Sequence, residues 1–374
     1  MQRLEAELER LRAKHAFRSL RAASGRDFTS NDYLGFAAHP ALRAAVIGAL
    51  EDYGVIGAGG SRLLRGNHEL HQALEEKAAR FFGAGAALYF GSGYLANLAL
   101  FTTLPTRHDA VVFDEYVHAS MKEGLHAGQA ATIKAKHNDV GAFRETMMRA
   151  REGGVKEIFL AVESLYSMDG DFAPLEELSG LALEFGATLI VDEAHATGVF
   201  GPTGRGLSES LPQENVIAVH TGGKALGVVG ALVTGRAEII QYLINAARPF
   251  IYSTAPPPML AAALTRALEL VDEEPWRRDV LKTRVSEAER ALRAACGPAL
   301  AARGSQILPV IVGAEARAVA VADALQAKGF DVRAIRPPTV PDGTSRLRVS
   351  ISAAQTAEDV SALGNALAEC LERA

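Results

Sequence analysis

The chain has 374 residues, is 48% hydrophobic, and carries 39 basic against 44 acidic side chains. That is enough apolar surface for one large core and a smaller one, which excludes disorder as the main state. A net charge of −5, with the basic residues spread along the chain, gives no electrostatic footprint for nucleic acid or an anionic membrane and points to a small-molecule substrate.

The N-terminal stretch M-Q-R-L-E-A-E-L-E-R-L-R-A-K-H mixes acids and bases around Leu4, Leu8 and Leu11, the pattern of an amphipathic helix rather than a secretory signal. Phe81 to Thr106 carries no charge and is long enough to raise the question of a membrane span. Gly91-Ser92-Gly93, Asn97 and Thr102-Thr103 interrupt it, so a buried strand, turn and helix is the better reading. From about Ala86 to Gly235, seven short runs alternate with helical patterns: A-L-Y-F, A-V-V-F, A-T-I-K, E-I-F-L-A-V, A-T-L-I-V, V-I-A-V-H and G-A-L-V-T. They predict a mostly parallel α/β sheet, and the lack of polar alternation in most of them predicts helices on both faces. After A-P-P-P-M a long helix-like segment leads to about Arg293, and a second, smaller α/β pattern follows. Its strands are Q-I-L-P-V-I-V, D-V-R-A-I and R-L-R-V-S-I-S, with helices around Arg317 to Lys328 and Ala357 to Leu371. The expected organisation is an N-terminal helix and extended segment over 1–45, a large α/β domain over 46–255 and a smaller C-terminal α/β domain over 256–374. Cys296 and Cys370 stand alone, without disulfide or metal-ligand spacing, as in a reducing cytosol with no metal site.

Ligands of such sheets bind beyond the carboxyl ends of the strands. Gly91, His118, Ser167, Asp192 and Lys224 all fall there. In Y-F-G-S-G-Y-L-A-N the segment Gly91 to Tyr94 follows a strand and opens a helix, where backbone N–H groups can cradle a phosphate. The same letters match the G-x-G-x-x-A dinucleotide fingerprint, with Asp114 at a suitable distance, so a nicotinamide-dependent dehydrogenase competes; a packing turn is the bland alternative. I-V-D-E-A-H-A-T-G puts Asp192 at a strand end and His195 three residues on. Its D-E-A-H resembles a helicase box, but the chain lacks a P-loop, and the ATPase reading fails. At a pyridoxal 5'-phosphate (PLP) site, Asp192 would keep the pyridine nitrogen protonated and His195 would bond the phenolic oxygen; otherwise Asp192 caps a helix. H-T-G-G-K-A-L-G surrounds Lys224 with small residues, as a lysine condensing with an aldehyde requires, and Thr221 can reach a phosphate from the same loop. An isolated lysine is normally a solvated surface group, and only its position after a buried strand argues otherwise. His118 is able to stack on a cofactor ring or to be structural, and Ser167 precedes a turn eased by Gly170.

Taken in order, N-D-Y-L-G at Asn31, G-A-G-G-S-R at Gly57, H-A-S at His118, S-M-D-G-D at Ser167, V-D-E-A-H-A-T-G at Val191, T-G-G-K-A-L-G at Thr221 and I-Y-S-T at Ile251 resemble the α-oxoamine synthases. These are fold-type-I PLP enzymes that join an amino acid to an acyl thioester with loss of CO2, with a large seven-stranded α/β domain and a smaller C-terminal one. A-I-R-P-P-T-V-P-D-G-T-S-R-L-R, Ala334 to Arg348, is most similar to the biotin-pathway branch, which takes L-alanine and a pimeloyl thioester of CoA or acyl carrier protein. The glycine-using 2-amino-3-ketobutyrate CoA ligases and 5-aminolevulinate synthases are the alternatives within the family. The resemblance implies that Lys224 is the Schiff-base lysine and proton-transfer base, Asp192 the partner of the pyridine nitrogen, and His118 the stacking residue. It assigns Ser167 and His195 to the phenolic oxygen, and Thr221 with the backbone of Gly93 and Tyr94 to the phosphate. Arg348, assisted by Asn31, would grip the alanine carboxylate. Thr339 and Arg18, with Arg21 as substitute, would contact the acyl side, and Ser253 and Thr254 would reach the phosphate of the neighbouring subunit in a cytoplasmic homodimer with shared active sites.

Overall fold

The structure is a computed structural model that describes residues 2–13, 17–20 and 22–373. Among these the strands, in chain order, are β1 Arg26–Asp27, β2 Ala86–Phe90, β3 Ala110–Asp114, β4 Ala131–Ala135, β5 Ile158–Glu163, β6 Thr188–Asp192, β7 Val216–Thr221, β8 Ala231–Gly235, β9 Ile307–Gly313, β10 Phe330–Asp331, β11 Arg333–Ile335 and β12 Ser345–Ser350. The chain divides into two compact units, a larger one of Leu34–Tyr166 and Phe172–Arg278, and a smaller one of Met1–Tyr33, Ser167–Asp171 and Asp279–Ala374.

The larger unit is built on a seven-stranded sheet in the order β2-β8-β7-β6-β5-β3-β4. All neighbours are parallel except β8, which runs antiparallel to both β7 and β2. The apolar runs form strands buried on both faces, so successive residues feed opposite sides of the sheet. Val111, Phe159, Ile190 and Ile217 enter one apolar cluster, while Val112, Leu160, Leu189 and Val216 enter another. Only the outer strand β4 is largely exposed, with Thr132 and Lys134 on its solvated edge. The uncharged stretch that raised the membrane question forms β2 and the helix Gly93–Thr103, and no described helix is long and apolar enough to cross a membrane.

Helices Gly93–Thr103 and Ala119–Ala127 pack side by side at close range. A Cβ at Gly124 would lie 3.0 Å from the Phe101 Cβ and 3.1 Å from the Asn97 carbonyl, so the approach depends on glycine. The long helix expected to end near Arg293 is two helices, Pro258–Glu273 and Trp276–Cys296. Pro275 breaks it: the ring forbids a helical backbone at the preceding residue, and Glu274 sits at φ −119° and ψ 52°.

In the smaller unit β11, β12 and β9 form an antiparallel sheet, and β1 pairs in parallel with β10. The run D-V-R-A-I, expected as one strand, therefore serves two sheets. Its first residue ends β10 beside β1, Val332 is buried at the change of partner, and Arg333 starts β11 beside β12. An apolar run signals a strand but not which neighbour it pairs with. Helices Glu315–Ala327 and Ala357–Arg373 lie where helical periodicity places them.

Candidate active site

Three segments that end or follow strands of the larger unit bring polar side chains to one cavity. Asp192 closes β6, between β5 and β7, and is buried. Its Oδ1 accepts from the Ala194 N–H at 2.9 Å and its Oδ2 from Asn97 Nδ2 at 2.7 Å, so both oxygens have a fixed direction. Lys224 lies in the turn after β7, closed by Gly222 N–H to the Gly230 carbonyl and by Gly227 N–H to the Lys224 carbonyl. Its Nζ is 2.9 Å from Nε2 of the buried His195. His118 caps the helix Ala119–Ala127, with Nδ1 accepting from the Ser120 N–H at 3.2 Å and lying 2.7 Å from Ser120 Oγ. One cavity has Gly93, Tyr94, His118, Asp192, Thr221 and Lys224 in its wall. Burial pushes the His118 pKa down, with the charges of Lys224 and Lys122 adding to the effect and Asp192 opposing it.

A helix start also lines this cavity. Ser92 is the N-cap of Gly93–Thr103, its Oγ accepting from the Leu95 N–H at 3.2 Å. The N–H groups of Gly93 and Tyr94 open the helix and have no partner one turn back, an arrangement suited to an anion. Thr221, at the end of β7, comes so close that a Cβ at Gly93 would stand 2.6 Å from its Cγ2. Bare backbone and a hydroxyl thus share one recess, with a carboxylate and an amine in the same cavity. These donors and acceptors fit PLP: a phosphate at the helix start, a cationic ring nitrogen at Asp192 and an aldehyde carbon at Lys224.

Asn97 and Ser120 were not among the site residues expected from the sequence. Both are buried, and Asn97 Nδ2 also donates to Ser120 Oγ at 3.0 Å. The available signals were an amide inside an otherwise apolar helical stretch and the serine of H-A-S.

Ser253 and Thr254 follow the short helix Arg248–Ile251 and lie outside the wall of this cavity; Thr254 bridges to Ser61. Asp114 does not suit a dinucleotide. It is fully buried, its Oδ1 taken by the Tyr116 N–H and His137 Nδ1 and its Oδ2 by the Asn138 N–H, which leaves no carboxylate edge for a ribose.

The smaller unit gathers the remaining expected residues. Arg348 on β12 is buried, its Nε donating to the Ser167 carbonyl at 2.6 Å and its Nη1 to Asn31 Oδ1 at 3.1 Å and Ser350 Oγ at 2.8 Å. Its Nη2 reaches the Tyr33 hydroxyl at 3.4 Å. Burial raises the Tyr33 pKa, with Arg348 pulling the other way. Arg18 Nη2 lies 3.3 Å from Thr339 Oγ1, so that expected pair also meets. Arg21 lies outside the described residues.

Comparison with known proteins agrees over nearly the full length. The family model described as aminotransferase class I and II matches residues 25–367. An 8-amino-7-oxononanoate synthase of Anaeromyxobacter dehalogenans is 45% identical across 98% of this chain and 94% of its own, and one of Geobacter sulfurreducens is 41% identical across 96% and 95%. Among solved structures, a serine palmitoyltransferase of S. paucimobilis with bound PLP and myriocin superposes at a TM-score of 0.91, with 29% identity over 99% of this chain and 97% of that one. An 8-amino-7-oxononanoate synthase of Francisella tularensis superposes at 0.80, also at 29% identity, over 94% and 98%. Fold and site define a fold-type-I PLP-dependent enzyme, which sets the dehydrogenase reading aside. The chain belongs to the aminotransferase class I and II family, and within it to the α-oxoamine synthases, beside the 8-amino-7-oxononanoate synthases.

Proposed function

We propose that the chain condenses L-alanine with a pimeloyl thioester, of CoA or an acyl carrier protein, to give 8-amino-7-oxononanoate, CO2 and free thiol for biotin synthesis. The reading rests on one observation, 40–45% identity over nearly the whole chain to 8-amino-7-oxononanoate synthases. The enzyme works in the cytoplasm as a homodimer with shared active sites, Ser253 and Thr254 reaching the partner's phosphate.

Bound PLP supplies an aldehyde carbon that bonds reversibly to amines and a protonated ring that draws electron density from the amino acid's Cα. Lys224 Nζ holds it between turnovers and then moves the proton at alanine Cα. Asp192, aligned by Ala194 and Asn97, holds the proton at the ring nitrogen. His118 packs on the ring face, and His195 and Ser167 contact the phenolic oxygen. Gly93, Tyr94 and Thr221 bind the phosphate. Arg348, its fork fixed by the Ser167 carbonyl and Asn31, would hold and orient the alanine carboxylate. Arg18 and Thr339 contact the acyl chain.

The test has two parts. Purified protein carries a visible absorbance band that Lys224→Ala abolishes. Thiol release is then compared for pimeloyl-, acetyl- and succinyl-CoA, each with alanine or glycine, and is fastest with alanine and pimeloyl-CoA. Faster release with glycine and a short acyl-CoA refutes the assignment in favour of a 2-amino-3-ketobutyrate CoA ligase or a 5-aminolevulinate synthase.

A further inference from the structure

Between Asp192 and His118 runs a buried chain of hydrogen bonds whose direction can be worked out link by link. An ionised carboxylate only accepts, so the atom of Asn97 that lies 2.7 Å from Asp192 Oδ2 must be the amide nitrogen. The flipped amide would set oxygen against carboxylate oxygen at that distance. The cost of the observed orientation is visible, because Asn97 Oδ1 is buried without a hydrogen-bond partner among the described residues. The second proton of the same nitrogen points to Ser120 Oγ at 3.0 Å, which therefore accepts. The Ser120 hydroxyl proton is left for its other neighbour, His118 Nδ1, at 2.7 Å. The Ser120 backbone N–H donates to the same nitrogen at 3.2 Å. Two donors converge on Nδ1, and that nitrogen has no room for a proton of its own.

We propose that Asn97 and Ser120 are positioning residues that carry the acceptor demand of Asp192 to His118 and hold its ring neutral, with the proton on Nε2. The depressed His118 pKa agrees with this, and the charged groups facing the ring are Asp192, Lys224 and Lys122, with Glu163 in the same cavity wall. In consequence His118 presents an N–H donor at Nε2 and keeps its only lone pair occupied at Nδ1. It does not compete with Lys224 for the Cα proton. The relay also ties the orientation of the ring to that of the carboxylate, since one amide group holds both. This assignment rests on the proposed function for what His118 does toward substrate, but not for the tautomer, which is a property of the chain alone.

The experiment is a two-bond ¹H–¹⁵N correlation spectrum of the full-length chain labelled with ¹⁵N-histidine, PLP-free and PLP-loaded. The His118 signals are assigned by their loss in His118→Asn. The expected pattern is the Nε2–H tautomer in both forms. Ser120→Ala, which removes the hydroxyl and keeps the backbone donor, shifts the tautomer ratio about fivefold toward Nδ1–H, the worth of one net hydrogen bond. It also moves the acid limb of the kcat/KM profile to higher pH, and Ser120→Thr restores both. An Nδ1–H pattern in the unsubstituted chain overturns the proposal without recourse to any variant. So does an unchanged tautomer ratio in a Ser120→Ala protein whose circular dichroism and melting temperature show it folded. Failure to release thiol from any acyl-CoA would remove the proposed function while leaving the tautomer result standing.

Discussion

Gly93→Ala isolates the recess in which the helix start and Thr221 meet. The new Cβ would lie 2.6 Å from Thr221 Cγ2 and 3.8 Å from Thr221 Cβ. Carbon atoms in contact sit about 3.5–4.0 Å apart, so roughly 1 Å of displacement is demanded, and by the methyl group alone. Overpacking of this kind costs about 1–3 kcal/mol, and 2 kcal/mol corresponds to about 30-fold in an equilibrium constant. Under the proposed function Gly93, Tyr94 and Thr221 bind the phosphate, so the strain is read as weakened PLP binding. Thr221→Ser deletes Cγ2 and keeps the hydroxyl. Alone it changes affinity by about twofold or less, and combined with Gly93→Ala it returns affinity to within about threefold of the starting protein, a coupling that a double-mutant cycle measures. The assay is an equilibrium PLP titration followed by absorbance, with melting temperatures of the PLP-free proteins as control. A double variant that binds PLP no better than Gly93→Ala refutes the argument, because the methyl contact would then not be the cause.

Three further outcomes follow from other contacts. His220 is fully buried, stacked on Phe82 at 3.6 Å and 2.8 Å from Thr197 Oγ1, and burial lowers its pKa to about 3. The unfolded chain takes up a proton near pH 6.5 that the folded chain refuses, so the stabilisation is complete above that pH and is lost toward pH 3 at about 1.4 kcal/mol per unit. Urea midpoints fall accordingly on acidification, and His220→Phe makes the decline shallower. Glu75 forms a bidentate pair with the partly buried Arg62 at 2.9 and 2.8 Å, so Glu75→Ala leaves that guanidinium hydrogen-bonded to Asn67 and lowers unfolding free energy by about 1–3 kcal/mol in urea titrations. Arg348→Lys gives up the planar fork that spans Ser167, Asn31 and Tyr33, and it raises KM for alanine about tenfold or more while leaving PLP affinity within about twofold.

What could be read from the sequence was what strand ends reveal. Asp192 directly follows the apolar Leu189 to Val191, so its polarity at that point is conspicuous, and Lys224 and His118 each stand a few residues past another apolar run. Six of the seven strands were equally plain, because a strand buried on both faces has no competing polar pattern, and the exposed β4 was read from its A-T-I-K run. Asn97 was legible only as an interruption of an uncharged stretch, since its partners Ser120 and Asp192 are distant in sequence and its role depends on how closely two helices approach across Gly124. The division of D-V-R-A-I between β10 and β11 was hidden for a related reason. Periodicity describes one strand at a time, whereas the choice of neighbour is made by the whole sheet. The stop at Pro275 did carry a local signal, and the surrounding helical composition masked it.

The antiparallel course of β8 bears on how the lysine loop comes into being. Every other strand junction in this sheet needs a crossover or a distant partner, but β7 and β8 are joined by the short turn that holds Lys224, closed by bonds between Gly222 and Gly230 and between Gly222 and Val228. Closing so short a loop costs little chain entropy, and the backbone bonds that close it are all local. The lysine is therefore delivered to its strand end by a hairpin that can form before the parallel strands on its other side have been assembled. Lys224 thus belongs to a hairpin closed by nearby residues, whereas Asp192 depends on a partner, Asn97, that is 95 residues away in sequence.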